Sequence, residues 1–270
     1  MNSTHPAPAG RTGSRDVPRQ WAVAVSAVVG VAVAFLASGA VVGTPVNQVA
    51  DGALATDATL VAPAGPAFSI WGVIYTGLLL LAAFQFSPSR RADPRQRRVG
   101  WLVAASLLLN AAWVAVIQAE WLALSVAVIA VLLAVLVVVL VRLGESPPST
   151  RYEAVVVDGA LGLYLGWVCI ATVANTAATL VASGVDAEGS AATVWAVAVL
   201  AVAAAVGVLL AVGLNGRIAP AVGLAWGLGW VAMARTSGEP ESMAVAVAAG
   251  IAAAVTLGSA LVVRARASAD

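Results

Sequence analysis

LGLYLGWVCIATVANTAATLV, residues 161–181, runs for 21 residues without a charge. At about 1.5 Å of rise per residue, a helix of that length crosses the roughly 30 Å hydrocarbon core of a bilayer. Tyr164, Trp167, Thr172 and Asn175 interrupt the apolar run, and Gly162 and Gly166 form a small-xxx-small ridge where another helix can approach closely. An amide inside a membrane span must find a partner in the bundle or on a ligand, because lipid supplies none. The stretch therefore predicts an inward-facing helix that forms part of a site.

The whole chain has the same character. Its 270 residues are 61% hydrophobic and only 10% charged, with a mean hydropathy of +0.96. A soluble domain carries about a quarter charged residues, and here the apolar surplus is spread along the chain. This is the composition of an all-α integral membrane protein. There is no lysine, which excludes a Schiff-base or P-loop lysine. The only histidine, His5, lies in the polar N-terminal segment, so neither haem ligation nor a histidine metal site is expected in the spans. Cys169 is the only cysteine and reads as a buried, inert thiol. No catalytic residue, metal site or required cofactor is expected, and the net charge of +1 gives no reason to expect a nucleic-acid partner.

Eight spans can be placed, at residues 21–42, 67–86, 101–117, 121–141, 161–181, 192–214, 218–234 and 243–263. Residues 1–20 read as a disordered basic tail rich in Pro, Gly, Ser and Thr. The first span carries small residues at 37–40 that could suit signal cleavage, but it exceeds the 7–15 apolar residues of a signal h-region, so an uncleaved helix is expected. With the N-terminus inside, thirteen arginines fall on the inner side and only Arg235 on the outer side. That bias predicts cytoplasmic N- and C-termini in the plasma membrane of the cell. Glu120, Asp158 and Arg235 lie near span ends and read as interfacial residues.

Trp21, Trp101, Trp121 and Trp195 stand at span ends, as an aromatic belt requires, whereas Trp71, Trp113, Trp167, Trp226 and Trp230 lie inside spans. Counting helical rise from the outer boundary puts Trp71 and Tyr75 about 6 and 12 Å deep, Asn110 and Trp113 about 11 and 6 Å, and Asn175 about 9 Å. Trp167 comes out deeper, at about 21 Å. Trp71/Tyr75 are spaced i,i+4 and Asn110/Trp113 i,i+3, so each pair shares a face. Each residue alone reads as helix packing. Three helices supplying aromatic and amide groups at one depth read as an apolar small-molecule pocket with flat walls.

Residues 66–75, PAFSIWGVIY, resemble the start of the second helix in the tryptophan-rich sensory (TspO)/translocator protein family. Residues 109–113, LNAAW, resemble its third-helix LN-x-x-W, and YLGWVCIA with Asn175 resembles its fifth-helix motif. The departures are Ala67 where the family has tryptophan, Ser106 where it has glutamine, and the lack of a sterol-recognition pattern near Asn175.

The resemblance implies a TspO-like five-helix bundle over residues 21–181, with residues 192–266 forming three additional transmembrane helices. It implies a pocket lined by Trp71, Tyr75, Asn110, Trp113, Trp167, Ala171 and Asn175, with Pro66 and Phe68 at its lid. It further implies a receptor or sensor that binds a tetrapyrrole (porphyrin) or related apolar small molecule, and a homodimer joined through small residues. A transporter of an apolar metabolite is the alternative, and a porphyrin-degrading enzyme a third reading. Residues 228–234 repeat the LGWV-x-x-A pattern of residues 165–171, through partial duplication or through chance in an Ala/Val-rich chain.

Overall fold

The computed structural model describes residues 13–36, 44–186 and 189–269. Among these, eight helices are long and apolar enough to cross a membrane, and no strand is present. They are α1 (Asp16–Phe35), α2 (Ile70–Phe84), α3 (Pro94–Gln118), α4 (Leu122–Gly144), α5 (Arg151–Ala182), α6 (Gly189–Gly213), α7 (Ile218–Ser237) and α8 (Met243–Ala267). A 3₁₀ turn, Gly65–Ser69, leads directly into α2.

All eight expected spans are present, but several helices begin earlier than their apolar runs. The segment expected to be disordered through residue 20 is helical from Asp16. The reason is that its polar side chains are buried with partners. The Arg97 guanidinium donates to Asp16 at 2.8 Å, Arg19 donates to the Arg91 carbonyl at 2.9 Å, and Gln20 donates to the Gln85 carbonyl. In the same way α3 starts at Pro94, where Asp93 caps the helix by accepting from the Arg95 amide. Residues 1–12 of the expected tail, and the small residues at 37–40, lie outside the described residues.

The first five helices close a ring: α1 packs on α2 and α3, α3 on α4, α4 on α5, and α5 on α2. The other three attach to the far side of α5. There α7 packs against α5, α8 against α7, and α6 against α8. α5 is thus a wall shared by both groups, and two thirds (67%) of its most apolar window is buried, against 56% or less for any other span.

The glycine ridge explains the contact. A Cβ on Gly166 would meet the Pro220 carbonyl oxygen and lie 2.6 Å from the Leu224 amide nitrogen. On the opposing helix, a Cβ on Gly223 would stand 3.0 Å from the Trp167 amide nitrogen, and one on Gly227 would meet Ile170. Two small-xxx-small stripes therefore face one another at backbone contact. The ridge expected to receive another helix receives the chain's own α7.

The arginines gather at one end of the bundle. Arg90 and Arg95 pair with Glu153, Arg95 and Arg217 with Asp158, and Arg98 with Glu145. Asp158 lies in a π-helical turn, Ala154–Gly159, within α5. It does more than the interfacial residue expected, because it ties α3 and the start of α7 to α5. Arg235 is a second correction. It lies at the opposite end, and its side chain is 1% exposed.

Candidate functional site

At the end opposite the arginine network lies a cavity of about 590 Å³. Its wall takes Trp71 and Tyr75 from α2, Asn110 and Trp113 from α3, Trp167, Ala171 and Asn175 from α5, and Phe68 from the 3₁₀ turn. Eight of the nine positions expected from the sequence therefore line it. The ninth, Pro66, does not: Gly65 and Phe68 line the wall on either side, while Pro66 occupies the 3₁₀ turn without reaching the cavity.

The aromatic side chains brace one another. Trp71 and Tyr75, one helical turn apart, stack at 4.9 Å with an 18° interplanar angle. Trp167 meets Trp71 edge-on at 6.2 Å and Phe68 at 5.5 Å, the geometry that aromatic quadrupoles favour. The Asn110 amide donates to the Tyr75 hydroxyl at 3.1 Å, bridging α3 and α2. These contacts fix the side chains of the wall against one another.

A model of the TSPO-like protein family matches residues 20–262, a range that takes in the cavity and reaches all eight helices. The chain belongs to the TSPO-like family. No curated protein and no solved structure matches it.

In this TSPO-like chain, Asn175 is 1% exposed and its amide is engaged by Ser125 of α4, with the amide nitrogen donating at 3.0 Å. The Ser125 hydroxyl in turn lies 2.6 Å from the Leu122 carbonyl. Sequence reading missed Ser125, although it is the lone hydroxyl in the Leu/Val-rich fourth span. Replacing either partner leaves a buried polar group short of a bond. Ser125→Ala and Asn175→Ala are each expected to cost about 1 kcal/mol. A double-mutant cycle on thermal unfolding is expected to show strong coupling between the two; additive losses would count against the pair.

Tyr164, buried and outside the cavity wall, donates its hydroxyl to the Ser106 carbonyl at 3.1 Å and packs edge-on against Trp71. It supports the wall from below. The Trp113 indole nitrogen is buried without a hydrogen-bond partner among the described residues.

The roof comes from the segment between the first two spans. Residues 45–65 form most of it, through Pro45, Val46, Ala53–Thr56, Thr59, Ala62, Pro63 and Gly65, joined by Val31, Ala34 and Phe35 of α1. Trp226 and Trp230, which lie inside spans as the wall tryptophans do, are outside the wall and hold this roof instead. The Trp226 indole donates to the Ala67 carbonyl at 2.8 Å, and the Trp230 carbonyl accepts from the Ala64 amide at 3.2 Å. Among the described residues lining the cavity none is charged. An unpaired charge enclosed there would lose its hydration without compensation.

Proposed function

We propose that this TSPO-like protein is a multi-pass receptor of the cell membrane that binds a tetrapyrrole or a related flat, apolar small molecule. The observation that carries this reading is the braced wall of Trp71, Tyr75, Trp167 and Phe68 around a cavity of about 590 Å³, with Asn110 and Asn175 as its amides. Pockets for small molecules have this volume and this balance of aromatic surface with a few polar groups. The thirteen-to-one arginine distribution supports a cytoplasmic position for both termini and an outward-facing cavity. The uncharged wall supports a pose in which a porphyrin's ring is enclosed and its carboxylates remain at the mouth.

Binding is favoured over passage by the opposite end of the bundle, where ion pairs join α3, α5 and α7 below the cavity. Titration of the purified protein with protoporphyrin is expected to give saturable quenching of tryptophan fluorescence and a shifted porphyrin absorption band. Ala171→Phe, which fills the cavity from α5, is expected to weaken binding at least about tenfold, equivalent to 1.4 kcal/mol. Equal binding by this variant would remove the proposed site, and ligand flux in proteoliposomes would replace the receptor reading with the transporter.

A further inference from the structure

We infer that α7 is a clamp on the roof of the cavity, with Arg235 as its positioning residue, and that this clamp slows the entry and release of ligand. The part concerning ligand rests on the cavity being the binding site.

Three polar contacts tie the roof to α7. Trp226 donates to the Ala67 carbonyl, the Trp230 carbonyl accepts from the Ala64 amide, and the Arg235 guanidinium donates to the Thr56 carbonyl at 2.8 Å. Each anchor is at or beside the cavity surface. Thr56 lines the cavity itself, Ala64 lies between the lining residues Pro63 and Gly65, and Ala67 immediately precedes the lining residue Phe68. Movement of α7 is therefore movement of the roof. The other end of the roof is held from inside the five-helix ring, where the Gln118 side chain of α3 brackets the Thr44 backbone, donating at 2.7 Å.

Arg235 has the chemistry of a reversible latch. Its side chain is 1% exposed, far from the arginine network, and among the described residues it forms no ion pair within bonding distance. A buried guanidinium must be compensated by hydrogen bonds. It has two, to the Thr56 carbonyl and to the Pro240 carbonyl at 3.0 Å, and its Nε has no partner among the described residues. Lifting the roof removes the first and exposes the guanidinium to water, which hydrates it well. Closing therefore exchanges hydration for the Thr56 carbonyl, while the Pro240 carbonyl beside the end of α7 serves both states and Nε stays without a partner; the nearby Asp57 and Glu239 carboxylates and the two tryptophan contacts favour the closed state. No part of this arrangement exists without α7. In the five-helix ring alone, Thr56, Ala64 and Ala67 would lack these partners.

The test uses the full-length protein in lipid nanodiscs, with Arg235→Leu and Trp226→Phe as variants and Arg264→Leu as a control at the arginine-rich end. Trp226→Phe removes one donor while keeping an aromatic ring, so it remains informative if Arg235→Leu fails to fold. Amide hydrogen exchange without ligand reads the clamp directly. Exchange in residues 50–67 is expected to accelerate about tenfold in Arg235→Leu and severalfold in Trp226→Phe, with α4 unchanged. Stopped-flow release of bound protoporphyrin is expected to accelerate in the same order, and Arg264→Leu to match the wild type in both.

Unchanged roof exchange in both variants would overturn the clamp. Faster roof exchange with unchanged porphyrin release would overturn its effect on ligand. If the wild type binds no protoporphyrin while the variants still loosen the roof, the ligand reading fails and the clamp stands.

Discussion

Gly166→Leu is expected to lower the unfolding midpoint of the detergent-solubilised protein by roughly 5 °C, whereas Gly250→Leu leaves it unchanged. Both are helical glycines in apolar spans, so propensity alone predicts a small gain for each. Their surroundings differ. Among the described residues a Cβ on Gly250 would meet no atom beyond its own stretch of helix within 4 Å, but a Cβ on Gly166 would meet the Pro220 carbonyl oxygen, with Leu224 N at 2.6 Å and Gly223 Cα at 2.9 Å. These are backbone atoms, which cannot rotate out of the way. The leucine can be accommodated only by separating α5 from α7.

Overpacking of that kind costs about 3 kcal/mol, which for a chain of this size corresponds to roughly 5 °C. Separation also withdraws α7 from the roof, so exchange in residues 50–67 should rise in the same variant. Thermal unfolding followed by circular dichroism checks the first effect. A shift equal to that of Gly250→Leu would mean that the α5–α7 contact is not close.

Trp167→Ala is the second large effect. Trp167 is 2% exposed and stands at the junction of Phe68, Trp71 and the α7 backbone. Truncation removes its ring and leaves a void continuous with the existing cavity, at a cost of about 3–5 kcal/mol. Each lost edge-to-face contact contributes about 1 kcal/mol of that. Phe68 and Trp71 then lose the surface that fixes their orientation, and protoporphyrin affinity is expected to fall at least tenfold. Trp167→Phe keeps one ring in place and should recover most of the stability and part of the affinity. Wild-type affinity in Trp167→Ala, measured by porphyrin absorbance, would take Trp167 out of the site.

Most of the fold was legible because membrane spans are specified locally. A run of about twenty apolar residues is a helix in lipid whatever its neighbours, since only intrahelical bonds can satisfy its backbone. The helix starts were less legible. Asp16, Arg19, Gln20 and Arg95 look like solvated residues in a linear reading, and only their partners on other helices make them helical and buried. The wall of the site was legible for a related reason: i,i+3 and i,i+4 spacing puts Trp71 with Tyr75, and Asn110 with Trp113, on common faces.

The contacts that hold the roof, Ser125 and the burial of Arg235 were not legible. Their roles depend on bonds to backbone carbonyls or to side chains more than 45 residues away, and a carbonyl has no sequence signature.

Residues 161–181 show the division in one element. Their sequence determined a membrane helix with a polar face and a glycine ridge, because length, hydropathy and four-residue spacing are properties of the helix alone. Which helix fills the ridge, which serine meets Asn175, and how α7 reaches the roof were decided by tertiary packing. Those choices depend on the fit of α5 to α4 on one side and to α7 on the other, and fit is a property of two surfaces together.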